Sequence, residues 1–173
     1  FGTSRASAIE NLNKFVDQNL FEYSKLRNFD FGLENKSNTS CLSPYITHGV
    51  INELEVIKKS LSKFSFTKNE KFIQEILWRT YWKGWLELRP GVWIDYLNDL
   101  KKIREEFKDN TDYKNAIEGN TSIECFNVWV KELKENNYLH NHARMWFASI
   151  WIFTLDLPWQ LGAEFFMKHL YDG

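Results

Sequence analysis

An all-α fold is the first expectation from this chain, and three observations carry it. Only 3 Pro and 8 Gly interrupt its 173 residues. Apolar residues recur at helical spacing through most segments, and no run of alternating apolar and polar residues is long enough for a strand. The length fits a single helical domain over 1–173 and suffices to bury a core.

Residues 4–26 predict an amphipathic helix, with Ala8, Leu12, Phe15, Leu20, Tyr23 and Leu26 near one face. "RNFDFGLENKSNTSCLSPY" follows, a long loop rich in Asn, Ser and Gly, and such loops in compact domains mark function or disorder. Ser43 reads as the N-cap and Pro44 as the first turn of a helix that runs to about Ser60. Residues 69–88 form the next helix, stopped by Pro90 and Gly91. The charged, weakly periodic stretch 95–120 reads as a solvent-facing segment and a loop. Helices are expected over 122–136 and 138–155, and Pro158 opens the last one, "PWQLGAEFFMKHL". No internal repeat is visible.

Composition narrows the function classes. A net charge of -1 and a pI near 6.5 rule out a surface coated in positive charge, so any nucleic-acid contact needs a local patch. Cys41 and Cys125 stand far apart, fitting neither a disulfide framework nor a zinc motif, which points to a reducing, cytoplasmic setting. The apolar run "MWFASIWIFTLDL" falls short of the ~20 residues a membrane span needs, and Asp156 interrupts it. The polar start of the chain has no signal-peptide pattern. Aromatic residues reach 17%, with 8 Trp. They serve an ordinary core, or some of them line a planar ligand or carry electrons.

Three constellations could carry chemistry. On the 69–88 helix, at ~100° per residue, Glu75, Arg79, Trp82 and Lys83 share one sector with Trp78 at its edge. One reading is a helical Glu75–Arg79 pair on an exposed face. The other is a helix buried on most sides, showing a carboxylate, a guanidinium and paired Trp rings to a flat, polar-edged ligand such as a nucleobase.

In "YLHNHARMWFASIWIF", His140 and His142 are two apart and diverge by ~200° on a helix, unlike the i,i+4 pairs that bind metals. No metal site is expected. Asn141 and Arg144 share a face and offer a donor–acceptor pair and a forked donor set, suited to an anion or a heterocycle edge, or else to plain capping. Thr39, Ser40 and Ser43 could hold phosphate oxygens ahead of a helix, or only cap it. The sequence contains no GxGxxG, Walker loop, GxSxG elbow or Cys/His nucleophile pair.

Taken together and in this order, these stretches resemble the flavin-binding helical domain of the photolyase/cryptochrome family. "TSCLSPYITHGVI" looks like the family's TSxLSPYLxxGxIS, and "FIQEILWRTYW" like its FxxELxWRxFY. "YLHNHARMWFASIWIFTLDLPWQLGAEFFMKHLYDG" is similar to its WMHNRxRMxxASFLxKDLxxxWxxGxxYFMxxLxDGD. The resemblance spans nearly the whole chain. The loop version resembles short bacterial relatives that lack the family's antenna domain.

The resemblance implies noncovalent FAD and light-driven repair of pyrimidine dimers in DNA by an electron from reduced flavin, in a monomeric lyase. By motif position, Thr39, Ser40, Leu42 and Ser43 would cradle the flavin phosphates with Tyr23, and Phe72 would stand beside the flavin. Asn141, Arg144 and Asp172 would surround the isoalloxazine and ribityl chain. Glu75, Trp78, Arg79, Trp82, Asn141 and His142 would meet a flipped lesion, Trp78 stacking on the bases and Glu75 bonding their edges. Trp159 would be the middle of a Trp relay that reduces the flavin. His140 and His142 would rim the pocket.

The departures are Cys41 where the family often has Arg, His142 for Arg, and Ala116 where the outer relay Trp is expected. Trp129, Trp146 and Trp151 are the available substitutes. After Asp172-Gly173 the family continues with further flavin-facing residues, so the expectation is the first part of the domain and about half a flavin site. A blue-light photoreceptor of the same fold, and a degenerate flavin-free module binding nucleic acid or protein, are the competing readings.

Overall fold

The structure, a computed structural model, describes residues 1–32 and 35–173; Leu33 and Glu34 of the predicted loop lie outside the described residues. Two compact units make up the chain, one dominated by Phe1–Leu88 and the other by Arg89–Tyr171. All regular elements among the described residues are helical. None of those helices is long and apolar enough to cross a membrane.

In the first unit, α1 (Arg5–Gln18) begins at Ser4, whose hydroxyl accepts the Ser7 N–H at 3.1 Å, and it buries Ala8, Leu12, Phe15 and Val16. The single helix expected over 4–26 is broken. Asn19 leaves helical geometry at φ -125°, a turn of 3₁₀ helix spans Leu20–Glu22, and α2 covers Tyr23–Leu26. Asn is a weak helix former because its amide competes with the backbone, and the tighter turn lets Leu20 reach the core.

The helix expected from Ser43 to about Ser60 also divides. In α3 (Ser43–Thr47) Leu42, not Ser43, holds the N-cap position and no side chain caps it. Gly49 then turns the chain at φ 67°, the left-handed region that glycine enters at least cost. Asn52 restarts it as α4 (Glu53–Leu61) through a reciprocal capping box with Glu55, both bonds 3.0 Å. Arg5 braces this turn by donating to the Val50 carbonyl at 2.7 Å and pairing with Glu55. The next helix, α5 (Phe66–Glu87), starts three residues earlier than its pattern suggested. It buries Asn69, Phe72, Ile73 and Ile76, and Phe72 and Ile76 close a core with Leu12, Phe15, Leu42 and Val56.

The second unit holds the largest correction. Residues 95–120 are not a charged segment and loop: α6 runs Pro90–Phe107 and α7 runs Thr111–Glu118. The preceding helix ends just before Pro90, as expected, but Pro90 also begins a helix, in the first turn where its missing N–H costs no bond. Only Tyr96 and Leu100 of α6 are buried, which leaves too thin an apolar stripe to read. Asn110 caps α7 by accepting the Tyr113 N–H at 2.8 Å. Gly119 ends it at φ 76°, where a Cβ would lie 3.2 Å from the Asn127 carbonyl oxygen.

Then come α8 (Glu124–Asn136) and α9 (Asn141–Ser149), which runs into a π-helical turn at Ile150–Thr154, and α10 (Trp159–His169) after Pro158. Phe126, Val130, Leu133, Phe147, Trp151, Leu161 and Phe165 form the core of this unit. Gly162 lets α10 close on Trp151, whose indole ring atoms would stand 3.1–3.3 Å from any Cβ there.

Candidate functional site

The residues singled out by motif divide between the units, and each group has its own geometry. In the first unit the sector on α5 does not hold the helical pair expected from spacing. The Glu75 carboxylate accepts from Arg27 at 2.6 Å, and Arg79 donates to the Thr47 hydroxyl. Arg27 follows α2 by one residue and nothing in the local pattern marks it, because a partner 48 positions away leaves no periodic trace. It binds Oε1 alone and leaves Oε2 with no protein donor among the described residues.

Nor is α5 buried on most sides within this unit. Trp78 and Trp82 are 54% and 52% exposed and stack with ring centroids 6.4 Å apart and planes 23° from parallel. Tyr81 meets both edge-on, at 5.6 and 5.3 Å. A row of flat apolar faces therefore runs along the helix that carries an ion-paired carboxylate.

Beneath it, Phe72 is a core residue, 5.2 Å from both the Phe15 and Tyr23 rings. Expected beside the flavin, it props the Tyr23 ring within this unit. Burial first, then the negative charge of Glu75, pushes the Tyr23 phenol far above its ordinary pKa, with Arg27 opposing. Tyr23 is thus a neutral hydrogen-bonding group at any working pH. Leu42 is buried in the same core and can offer a ligand only its backbone. Thr39, Ser40 and Ser43 are half-buried, with the Thr39 hydroxyl bonded to the Lys36 carbonyl at 3.3 Å and 3.4 Å from the Cys41 sulfur. Cys41 holds a left-handed φ of 50°, a conformation that is uncommon for a residue with a Cβ.

In the second unit His140 is not a rim residue. It is buried at the N-cap of α9, and its Nδ1 accepts the His142 N–H at 3.1 Å. An N-cap imidazole does here what Ser or Asp usually does. Asn141 opens the helix exposed, while His142 is half-buried beside Trp146, ring centroids 5.8 Å apart. Arg144 shares the helix with Asn141 but turns back: its Nε donates to the Leu139 carbonyl at 2.8 Å and its guanidinium lies 5.3 Å over the Tyr138 ring. That locks its orientation.

Trp159 is 49% exposed and packs 5.7 Å from Tyr96. Ala116 is core. Of the possible relay substitutes, Trp151 is committed to packing, its Nε1 bonded to the Pro158 carbonyl at 2.9 Å, whereas Trp129 and Trp146 stack at 5.9 Å. Asp172 is half-buried in the turn after α10.

Comparison with known proteins places these two sites in one family. Residues 72–173 match the family model described as the FAD-binding domain of DNA photolyase. A deoxyribodipyrimidine photo-lyase of Neurospora crassa is 27% identical over 96% of this chain and 28% of its own length. A cryptochrome DASH of Idiomarina loihiensis is 25% identical over 99% of this chain and 38% of its own. A bacterial class III photolyase from Agrobacterium tumefaciens, known from its crystal structure, superposes with a TM-score of 0.79 at 25% identity, over 98% of this chain and 35% of that one. The chain belongs to the family of FAD-binding domains of DNA photolyases. It spans about a third of the length of these relatives.

The residues in hand fit the cofactor this family binds. Neutral hydroxyls at Thr39, Ser40 and Ser43, with a protonated Tyr23 phenol, are donors suited to phosphate oxygens. Asn141 and a fixed Arg144 are donors suited to the polar edge of a ring system. Cys41 adds no charge to that set.

Proposed function

We propose that this chain is the first part of the flavin domain of a photolyase that repairs pyrimidine dimers in DNA, a monomeric cytoplasmic enzyme, with the two units described here as parts of one domain. Thr39, Ser40, Ser43, the Leu42 backbone and Tyr23 hold the dinucleotide phosphates, and Asn141, Arg144 and Asp172 meet the ring and ribityl chain. When bound, the reduced flavin supplies a light-driven electron to the lesion.

The observation that carries the DNA reading is the exposed Trp78–Trp82 stack on the helix that also presents Glu75. A flipped pair of bases needs a flat apolar surface to replace lost stacking, and Trp78 with Trp82 offers one. It also needs an acceptor for its N–H edge, and Glu75 Oε2 is open for that role while Arg27 keeps the carboxylate oriented. Arg79 and His142 serve as contacts to the strand. Trp159 serves as a relay residue through which the flavin is reduced.

The test is repair of dimer-containing DNA under blue light by the full-length protein. Trp78→Ala should weaken binding of lesion DNA about 5- to 150-fold, the equivalent of ~1–3 kcal/mol per stacked base. Dimers that remain intact under illumination of a flavin-loaded protein would leave a photoreceptor as the better account. A protein without flavin absorption would leave the flavin-free module.

A further inference from the structure

The hydroxyls assigned to the flavin phosphates stand at the end of a stretch, Arg27 to Leu42, that contains no helix or strand among its described residues. Such a segment loses binding energy to its own freedom unless something holds it. Among the side chains that hold it is Asn38. Asn38 is 3% exposed, and its Nδ2 donates to the Leu26 carbonyl at 2.8 Å and to the Phe29 carbonyl at 2.6 Å. Leu26 ends the short helix that begins with Tyr23, and Asn38 immediately precedes Thr39. A single amide therefore ties the element carrying Tyr23 to the segment carrying Thr39, Ser40 and Ser43.

We propose that Asn38 is a positioning residue for the cofactor, fixing the spacing between the Tyr23 phenol and the Thr39–Ser43 hydroxyls before flavin arrives. The proposal rests on the reading that these groups hold the flavin phosphates. Few side chains could serve. The task needs two N–H donors on a short stem: Asp has none, and Ser or Thr has one. The left-handed Cys41 lies three residues beyond the anchor, so the same bonds hold a strained stretch in place.

The structure contains its own control. Asn69, 1% exposed, makes the same clamp in the α4–α5 connection, its Nδ2 donating to the carbonyls of Ser60 at 2.9 Å and Phe64 at 3.0 Å. Both clamps leave a buried Oδ1 without a hydrogen bond among the described residues. The open oxygen is thus a property of the clamp and not the mark of a ligand. What separates the two is what each is attached to: Asn69 tethers none of the hydroxyls assigned to the flavin phosphates.

The experiment compares wild type, Asn38→Ala, Asn38→Ser and Asn69→Ala in the full-length protein, reading FAD affinity of the apoprotein, its Tm, and amide exchange at Thr39, Ser40 and Cys41. Asn38→Ala should weaken FAD at least tenfold and speed exchange at those three amides, with Asn38→Ser in between. Asn69→Ala should lower Tm comparably, leave FAD affinity within twofold and leave that exchange unchanged. Wild-type FAD affinity in either Asn38 variant, or equal weakening in Asn69→Ala, overturns the proposal. Should Asn38→Ala fail to fold, Asn38→Ser decides by the same criteria. Wild-type protein that takes up no FAD would defeat the flavin reading itself. Exchange unchanged in Asn38→Ser would separately defeat the clamp.

Discussion

Arg27 and Glu75 show how a residue's role can depend on a neighbour that its own segment does not contain. The pair is partly solvated, with side chains 25% and 39% exposed, so its contribution to stability is small. Its value in the proposed function is orientation: one carboxylate oxygen is taken, and the other is the one proposed to face a base. Arg27→Met should change stability by less than about 1 kcal/mol, yet weaken lesion-DNA binding in the full-length protein and make that binding less dependent on Glu75. A double-mutant cycle with Glu75→Gln measures the coupling; additive losses would refute it. His169 gives a pH prediction at the same scale. Burial, helped by Lys168 and Lys134, holds its pKa below the ordinary 6.5. The unfolded chain then binds the proton more readily than the folded one, so the stability of the second unit should fall as pH drops through about 6.5 and below. His169→Gln should flatten that part of the profile, read as urea midpoint against pH.

At the scale of elements, the ends of helices decided more than their middles. Helix existence over 69–88, 122–136 and 138–155 was legible because apolar residues recur every three to four positions. The divisions at Asn19 and at Gly49–Asn52, and the start at Pro90, were not, since each depends on a backbone turn whose cause is local geometry rather than periodicity. The Asn52 capping box is one such device, and Asn52→Ala should cost about 1 kcal/mol in unfolding free energy. Gly162 is another position whose meaning appears only in three dimensions. A side chain there meets the indole of Trp151, which is 1% exposed and tethered to Pro158. Gly162→Leu should destabilise the second unit by about 1–3 kcal/mol through overpacking, despite the better helix propensity of Leu. Thermal melts compared with an exposed-site control such as Gln160→Leu would show it.

For the whole molecule, two separate cores are the main structural result, one around Phe15, Leu42 and Phe72 and one around Phe126, Phe147 and Trp151. The chain covers only about a third of its relatives. The 173-residue chain alone should therefore bind FAD far more weakly than the full-length protein and tend to associate through exposed apolar residues such as Trp78, Trp82 and Leu88. Equilibrium dialysis of both forms checks this, and stoichiometric, tight FAD in the short chain would refute it.

By itself the sequence determined the all-helical class, the family and the flavin, because helical periodicity and three co-linear motifs are one-dimensional signals that survive without coordinates. Which motif residues are buried and which are exposed was decided only by tertiary structure. Phe72, Leu42 and His140 carry motif positions yet are buried, while Arg27 and Asn38 carry no motif and bond to Glu75 and to the Leu26 and Phe29 carbonyls. The reason is physical: a hydrogen bond to a carbonyl 9 or 12 residues away, or an ion pair across 48, is set by how the chain folds back on itself. No local pattern records that.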